Sequence, residues 1–476
     1  MTDRRLRNIA LLVASCFFME NLDGTIVTTA APRIGRALHV PSTSVGLVIA
    51  AYMVTLAVLI PLSGWMAARW GARPVFLSAI ALFTASSLAC AASSSLAELV
   101  AFRVAQGVGG AMMVPVGRLV VLARTSKAQM LRMVALLVWP GLIAPVVAPL
   151  AGGLITTYAS WPWLFLINVP LGAVAFAIAW RLIHSPHIDE VAPPLDPLGG
   201  MLTCGGLAAA TYLAYLLSQS RVSWPAVMVC AAAAAAGLAG AAAHLLRVAH
   251  PLVNLRTLRV PTFRAAVGSG SLFWTAITAV PFLLTLLFQN AFGWSPLKSG
   301  AVVLIVFIGN VGIKPTTTPL LRRFGFRPVL VTSTAGAAAT MVAAGLFDAG
   351  TPLAIIAAVA LLNGVARSVS LTCYTTIAFS DTPPEQIRDA NTLQATAQQL
   401  AVGLGVPLGA VALRAGGALG GVLPGATNSV TPYTVAFLLL ALVALSATVA
   451  ALRLDPDAGA AVTRRPGREP ATSTSR

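Results

Sequence analysis

Two acidic side chains lie inside the first apolar segment of the chain, where proton chemistry would be unusual and informative. Glu20 and Asp23 are three residues apart, so they share one face of a helix and lie about 4.5 Å apart along its axis. Of the 14 acidic residues, only these two fall within a predicted span. A charge in the bilayer core costs at least about 2.5–3.5 kcal/mol, so each carboxylate needs a functional or structural reason.

The fourth apolar segment carries Arg103 at a predicted depth similar to that of Asp23. Asp23 lies roughly 24 Å from the inner surface, counted from Arg7, and Arg103 lies roughly 8 Å below the outer end of its span. An acid that exchanges a proton opposite a fixed cation is a minimal device for coupling proton movement to a conformational change. We therefore predict proton coupling at Asp23, Glu20 and Arg103, with Gln106 one turn further in the same cluster. The alternatives are a structural ion pair and snorkelling of either side chain to the outer interface.

The remaining intramembrane charges are all positive. Arg118 lies near the inner end of the fourth span, and Lys314 lies about 12 Å inside the membrane. Arg367 lies about 14 residues from both ends of its span, where a guanidinium can neither snorkel easily nor lose its proton. Lys314 and Arg367 are therefore candidates for substrate binding. The alternatives are snorkelling for Lys314 and a structural partner, such as a helix C-terminus, for Arg367.

Amide side chains in apolar spans are further candidates for the substrate site, and interhelical hydrogen bonding is the alternative for each of them. They are Gln106, Gln289, Asn310, Asn363, Gln394 and Gln398. A cavity lined by Arg103, Lys314 and Arg367, with acids only on the first helix, would favour anionic, zwitterionic or neutral substrates over lipophilic cations.

The elements that must position these residues follow from composition and hydropathy. The chain has 476 residues, of which 57% are hydrophobic and 9% are charged, against roughly 25% charged in soluble domains. A cytosolic globular protein is excluded. Apolar runs of span length, bounded by charge, Pro or Gly, occur at 8–30, 45–67, 75–96, 98–122, 132–157, 163–183, 197–218, 225–246, 264–289, 299–320, 328–347, 353–379, 391–413 and 432–452. The sequence predicts an all-α, polytopic membrane protein with 14 spans.

The distribution of basic residues predicts the orientation. The net charge is +17, but the Lys and Arg residues fall in short loops between apolar runs, so they do not indicate a nucleic-acid partner. With the first residue inside, the predicted inner loops and tails hold 22 basic residues and the outer loops hold five. This bias predicts that both termini are cytoplasmic and that the lipid bilayer is the surrounding partner.

Two loops share a sequence pattern at equivalent positions. Residues 68–75 read ARWGARPV and residues 322–329 read RRFGFRPV, which indicates two homologous halves. The predicted division is a first six-helix bundle (1–190), two inserted transmembrane helices with linkers (191–260), a second six-helix bundle (261–454) and a disordered cytoplasmic tail (455–476). Internal repeats of this kind are typical of secondary transporters, which bind substrate between the halves.

Several enzyme classes are excluded by motif. Neither GxxxxGK[ST] nor HExxH occurs, and the five cysteines lie singly in apolar runs. The prediction is a non-enzyme without a metal or organic cofactor, in which a proton serves as the coupling ion. The fifth predicted span is rich in Pro and Gly, and a bent, tightly packed helix is expected there from Pro145, Pro149, Gly152 and Gly153.

Taken together, these motifs resemble the major facilitator superfamily, specifically its fourteen-span drug:proton antiporter branch, over nearly the full length. The matching strings are Leu22–Val27 with Ala31 and Pro32, Gly64–Arg73, Arg103–Gly110, Pro145–Gly153 and Trp161–Pro170. The resemblance implies two six-helix bundles plus two inserted helices. It also implies that Asp23 takes part in proton coupling and that Arg103 takes part in proton transfer.

The resemblance further implies a gate at the repeated loops. The predicted gate or conformational residues are Gly64, Gly71, Arg73, Arg118, Pro145, Pro149, Gly152, Gly153, Gly325 and Arg327. The family's loop motif normally carries an acid where this chain has Ala68, so part of the family's charge network at the gate is missing here.

The predicted function is a proton-coupled antiporter of the bacterial inner membrane that exports small organic or drug-like molecules by alternating access, as a monomer. An organic-anion or metabolite exporter is one alternative. A non-transporting membrane sensor or assembly partner that kept the fold is another, and Ala68 is the sequence feature that favours it.

Overall fold

The computed structural model describes residues 3–40, 45–183, 194–218, 222–420 and 430–463. All regular structure in this part of the chain is helical, which confirms the all-α prediction. The first half contains α1 (Asp3–Ala37), α2 (Gly46–Leu59), α3 (Ser63–Trp70), α4 (Ala72–Ala92), α5 (Leu96–Leu122), α6 (Lys127–Tyr158), α7 (Trp163–Leu166) and α8 (Asn168–Leu182).

The rest of the chain continues with two helices and a second set. The inserted helices are α9 (Pro197–Ser218) and α10 (Trp224–Arg247). The second half contains α11 (Pro261–Leu286), α12 (Pro296–Gly312), α13 (Lys314–Phe324), α14 (Phe326–Gly345), α15 (Leu353–Ser380), α16 (Ile387–Gly420), α17 (Thr431–Leu452) and α18 (Ala460–Thr463). A π-helical turn, Leu287–Ala291, extends α11.

The number of helices that can cross a membrane differs from the predicted number. In the described segments, 12 helices are long and apolar enough to cross a membrane, or 13 if α12 and α13, which meet at a 50° bend, form one span. The predicted count of 14 is therefore not confirmed. The remaining long helix is α6, with 32 residues.

The repeated loops adopt the same local conformation in both halves. Gly71 separates α3 from α4 with a φ of 86°, and Gly325 separates α13 from α14 with a φ of 78°. Only glycine adopts this region of φ without steric cost. The pattern shared by the two loops is thus explained by a turn that both halves need.

Helix packing repeats as well. A Cβ added to Gly107 of α5 would lie 3.1 Å from the carbonyl oxygen of Tyr52 in α2, and one added to Gly364 of α15 would lie 1.8 Å from that of Val306 in α12. Positions 52 and 306 differ by 254, and so do positions 71 and 325. In both halves, a glycine of the fourth helical segment thus lies against the backbone of the second, although positions 107 and 364 differ by 257.

The inserted helices lie against both halves. Helix α9 packs on α2, on α16 and on α10. The Cys204 thiol of α9 donates to the carbonyl of Val58 at 3.0 Å, and Arg414 of α16 donates to the carbonyl of Leu217. Helix α9 thus covers the contact between α2 and α16, and α10 packs on α9.

The C-terminal segment differs from the prediction of a disordered tail beginning at 455. Residues 455–463 form turns and the short helix α18, with Val462 buried. Helix α18 packs against α6, α13 and α15. Residues 464–476 lie outside the described residues.

Candidate functional site

The centre of the first half is a buried ion pair between α1 and α5. Asp23 is 1% exposed and Arg103 is fully buried. The Nη1 of Arg103 donates to the Oδ2 of Asp23. The similar depths predicted for these residues thus correspond to direct contact. Their role in proton coupling stays a prediction.

Two amides complete the coordination of the Asp23 carboxylate. Gln106 Nε2 donates to Asp23 Oδ1 at 3.0 Å and Asn168 Nδ2 donates to the same oxygen at 2.8 Å. Gln106 also accepts from Arg103 Nη1 at 2.7 Å and donates to the Ser87 hydroxyl at 2.7 Å. The cluster therefore joins α1, α4, α5 and α8.

Two aromatic rings pack against the Arg103 guanidinium. The Arg103 guanidinium carbon lies 4.2 Å from the Tyr52 ring centroid and 5.6 Å from the Phe165 centroid. Arg103 Nε lies 3.4 Å from the carbonyl oxygen of Val48. Such rings stabilise a guanidinium through cation–π attraction, most strongly where water is excluded.

Glu20 lies one turn from Asp23 and faces a different cation. It is buried, and its Oε2 makes no hydrogen bond among the described residues. Arg118 of α5 lies within electrostatic range of it, and Asp23 is the neighbouring like charge. Arg118 is itself buried with Nη1 unbonded in the same set, so it lies in the helix bundle facing Glu20.

In the second half, two buried cations lie at α15: Arg367 belongs to this helix, and Lys314 of α13 contacts it. Lys314 begins α13, is 7% exposed and donates to the Thr372 hydroxyl at 2.6 Å. Arg367 is 9% exposed and donates from Nη1 to the carbonyl of Ile277 in α11 at 3.2 Å. Its guanidinium lies 5.8 Å from the Phe307 ring centroid of α12.

The predicted amide candidates fall into different environments. Asn310 is fully buried, and neither amide atom has a partner among the described residues. Asn363 donates to Thr340 at 2.8 Å, which is an interhelical hydrogen bond between α15 and α14. Gln394 is buried and Gln398 half-buried on α16, each with an unbonded Oε1. Gln289 is half-buried in the π-helical turn.

Gln106 and Arg103 are both bound within the Asp23 cluster in this structure. Gln106 uses both amide atoms inside the Asp23 cluster, and Arg103 is buried against Asp23. The cavity lined jointly by Arg103, Lys314 and Arg367 is therefore not observed. Lys314 and Arg367 remain as a pair in the second half.

The two halves touch near the face at which α1 begins and α17 ends, which we call the terminal face. A Cβ on Gly64 of α3 would lie 2.3 Å from the Thr392 hydroxyl of α16. Asn391 Nδ2 of α16 donates to the carbonyl of Pro115 in α5 at 2.9 Å. The absence of a side chain at Gly64 thus permits the close contact of α3 with α16.

The other predicted gate residues take varied positions. Arg73 donates to the carbonyl of Trp180 at 3.1 Å and lies 5.2 Å from the centroid of its ring. Arg327, at the equivalent position of the second half, is half-buried. Gly152 is buried in α6. Pro145, Pro149 and Gly153 belong to α6, but their surroundings lie outside the described part of the structure.

The sequence motifs included Asn168 but gave it no role, and Ser87 and Tyr52 were not singled out. Asn168 begins α8 at the end of a string that was recognised as a hallmark of the family. Its buried amide in an apolar segment was the available signal. Nothing in the sequence indicated that it would contact Asp23.

Comparison with known proteins gives a consistent assignment. The Major Facilitator Superfamily model matches residues 13–406 and 270–475. Proteins named "Putative multidrug resistance protein MdtD" are similar along most of their length. The protein from Cronobacter sakazakii is 37% identical over 85% of this chain and 86% of its own, and that from Salmonella typhimurium is 36% identical over 89% and 90%.

Solved structures resemble the fold at low sequence identity. The human organic anion transporter MFSD10 (TETRAN) has a TM-score of 0.62 and 16% identity, covering 93% of this chain and all of its own. The proton:xylose symporter XylE, bound to 6-bromo-6-deoxy-D-glucose, has a TM-score of 0.61 and 13% identity, covering 94% and 95%.

Proposed function

The chain belongs to the major facilitator superfamily of membrane transporters, and from this premise we propose that it is a proton-coupled antiporter that exports small organic molecules. The proposal places it in the bacterial inner membrane with both termini in the cytoplasm, as the charge bias of the loops indicates. The proton is its coupling ion. Alternating access of the two halves moves the cargo.

The observation that carries the proposal is the buried Asp23 cluster. An ionised carboxylate in the membrane is stable only where a cation and hydrogen-bond donors surround it. Asp23 has both, from Arg103, Gln106 and Asn168. Protonation would remove the charge that holds these donors and weaken the link between α1, α5 and α8.

Because these hydrogen bonds depend on the charge of Asp23, protonation of Asp23 would be coupled to helix packing. In the ionised state, α1 is bound to α5 and α8 through one carboxylate. A proton on Asp23 leaves the Arg103 guanidinium buried without a counter-charge, which is unfavourable unless the helices rearrange or water enters. The protonated cluster therefore favours a different arrangement of the first half.

The contacts between the halves suggest which conformation the structure represents. The contacts of α16 with α3 and with the Pro115 carbonyl of α5 lie near the terminal face, which is cytoplasmic in the proposed orientation. Gly64 with Thr392, and Asn391 with Pro115, close the bundle on that side. The proposed cycle opens these contacts to admit cargo from the cytoplasm.

The class of cargo has two candidates. The relatives named as multidrug resistance proteins favour drug-like molecules. The uncompensated cations Lys314 and Arg367 favour an organic-anion or metabolite exporter, in line with the name of one structural neighbour. A non-transporting protein is the alternative from another class.

The test uses proteoliposomes with an imposed pH gradient and a panel of cationic, neutral and anionic cargoes. We expect cargo-dependent proton movement in the wild type and its loss in Asp23→Asn. The matched control is Asp348→Asn, since Asp348 is an exposed acid in the loop between α14 and α15. Equal coupling in wild type and Asp23→Asn would rule out Asp23 as the proton site, and absence of transport in the wild type would favour the non-transporting alternative.

A further inference from the structure

We propose that the bend between α12 and α13 is part of a binding site for an organic carboxylate, formed by Lys314 and Arg367 with Asn310 and Ser368. The inference rests on the proposed transport function, because it identifies the cargo site and the charge class of the cargo. Its occupant is a small organic anion whose carboxylate lies between the two cations.

The first argument is unbalanced charge. The acidic residues of 261–454 are Asp348, Asp381, Glu385 and Asp389, and all of them lie in loops or at helix ends. Within the described residues, the contacts between a basic side chain and a carboxylate are those of Arg103 with Asp23 and of the His244 imidazole with Asp196. Lys314 and Arg367 thus have no carboxylate partner there, although both are more than nine-tenths buried.

The contrast with the first half makes this charge informative. Arg103 is buried to a similar degree, but it has a carboxylate, an amide and two aromatic rings. A buried cation without a counter-charge is strongly unfavourable. Two of them on neighbouring helices indicate that an anion is bound during part of the transport cycle.

The second argument is the broken helix. Helix α13 has 11 residues and begins at Lys314, after the 50° bend. The start of a helix carries partial positive charge, and broken helices of transporters use such ends to bind anionic groups of substrates. At this start Pro315 has no N–H and the Thr316 N–H already donates to the Ile313 carbonyl at 3.0 Å, so the contribution is the helix dipole and not a free backbone donor. The ammonium group of Lys314 adds a full charge at the same end.

The third argument is a set of unsatisfied polar atoms on the facing helices. Both amide atoms of Asn310, the Ser368 hydroxyl and Arg367 Nε are buried and lack hydrogen bonds among the described residues. Asn310 lies one turn before Lys314, and its backbone N lies 2.9 Å from a Cβ built on Gly364 of α15. Unpaired buried polar groups are costly, and a ligand with acceptor oxygens would pair the donors among them.

The spacing suits a small molecule. Lys314 reaches Thr372 at 2.6 Å, and Arg367 precedes Thr372 by five residues, which is roughly 7.5 Å along α15 and about 140° around its axis. Arg367 also lies over Phe307 of α12, so both cations border the contact of α12 and α13 with α15. A carboxylate, or two on a short dicarboxylate, can approach both cations, whereas a lipophilic cation would be repelled. The site is closed in this conformation, so the ligand enters when the helices separate.

The experiment measures binding to the purified full-length protein in detergent. Thermal stability is recorded with succinate, benzoate, chloride or tetraphenylphosphonium, and binding of radiolabelled succinate and benzoate is measured directly. A ligand that binds the folded state raises its stability. We expect one of the two organic carboxylates to stabilise the wild type, with tetraphenylphosphonium having no such effect.

The variants are Arg367→Gln and Lys314→Gln, with Lys298→Gln as the control because Lys298 is exposed beside Trp294. We expect each site variant to lose carboxylate affinity at least tenfold and Lys298→Gln to retain it. Without ligand, the site variants should melt no lower than the wild type, since each removes an uncompensated buried charge. This second readout shows that lost binding is not lost folding.

Three results would overturn the inference: no stabilisation by either carboxylate, equal stabilisation by chloride, or unchanged affinity in both site variants. Failure of the proposed function gives a different pattern. If carboxylate binding depends on Arg367 and Lys314 but no cargo moves protons, the result supports the site and contradicts proton antiport. If a cationic cargo drives proton movement through Asp23 and carboxylates do not bind, antiport stands and the site falls.

Discussion

The Asp23 carboxylate is held by donors from two other helices, which distinguishes it from a simple ion pair. Arg103 and Gln106 belong to α5, and Asn168 belongs to α8. Each donor stabilises the charged form of the carboxylate. Their removal should therefore change the packing of the first half.

Asn168→Ala tests this at the residue missed by sequence analysis. The variant removes a 2.8 Å hydrogen bond to a charged group, which is typically worth about 1.5–3 kcal/mol. We expect a lower melting temperature in detergent and weaker proton coupling in proteoliposomes. Asn21→Ala is the control on α1, because the Asn21 amide donates to the Phe17 carbonyl of its own helix. Equal effects of the two substitutions would contradict the role of Asn168.

The pairing of Asp23 with Arg103 was predictable because both depths follow from the fixed rise of a helix. The contact of Asn168 with Asp23 was not predictable, because the depth of a residue does not specify which helices are lateral neighbours. The same limit applies to Glu20, for which the sequence indicated no partner and the structure places Arg118 nearby.

At the scale of elements, close helix contacts depend on particular glycines. Gly364 brings α15 against the backbone of α12, where a Cβ would lie 1.8 Å from the Val306 carbonyl oxygen and 2.9 Å from the Asn310 nitrogen. Backbone atoms cannot move aside as a flexible side chain can. A side chain at this position must therefore separate the two helices.

Gly364→Ala should destabilise the protein by about 1–3 kcal/mol, as overpacking does elsewhere. Gly403→Ala is the matched control, because a Cβ at Gly403 of α16 meets nothing within 4 Å. That substitution should be neutral or stabilising by up to about 1 kcal/mol, since alanine favours the helix. The two melting temperatures should therefore move in opposite directions or differ widely, and equal shifts would contradict the packing.

The carboxylate of Asp196 links the start of α9 to α10. Asp196 accepts from the Gly199 backbone N–H at 2.8 Å, at the start of α9, and lies 2.9 Å from His244 Nε2 of α10. Burial raises the pKa of Asp196, but the Gly199 and His244 contacts outweigh it and hold the pKa below its usual range. The ionised form is therefore the one that ties the two helices together.

The sign of the pH dependence follows from this lowered pKa. The stabilisation by Asp196 is fully present above its ordinary pKa of about 3.9 and is lost as the pH falls through the lower folded value. Asp196→Asn keeps a capping side chain but cannot ionise. We expect the wild type to melt higher than this variant above about pH 5, and the difference to shrink below about pH 4. A difference in melting temperature that does not change with pH would show that capping, and not the charge of Asp196, links the two helices.

Element boundaries were predictable where apolar runs end at charged residues or Pro, as in α5, predicted at 98–122 and observed as Leu96–Leu122. The bend between α12 and α13 was not predicted, because Pro in a span does not state where the helix breaks. The position of α9 between α2 and α16 also could not be predicted, because hydropathy locates apolar segments in the sequence but not which helices pack beside them.

At the scale of the whole molecule, the structure is closed near the terminal face by contacts of α16 with α3 and α5. The proposed alternating access requires these contacts to open in each cycle. They involve small or polar groups at Gly64, Thr392, Asn391 and Pro115. Such contacts can form and break without exposing a large apolar surface.

A reversible cross-link tests whether they open. The Cβ position of Gly64 lies 3.3 Å from Thr392 Cβ, close to the usual Cβ–Cβ distance of about 3.5–4.5 Å in a disulfide. We expect the double variant Gly64→Cys, Thr392→Cys to lose transport at least tenfold on oxidation and to regain it with a reductant. Each single variant under the same oxidation is the control, because the five native cysteines could otherwise contribute. If the oxidised double variant, shown by mass spectrometry to be cross-linked, still transports at the rate of the reduced form, these contacts are not the cytoplasmic gate.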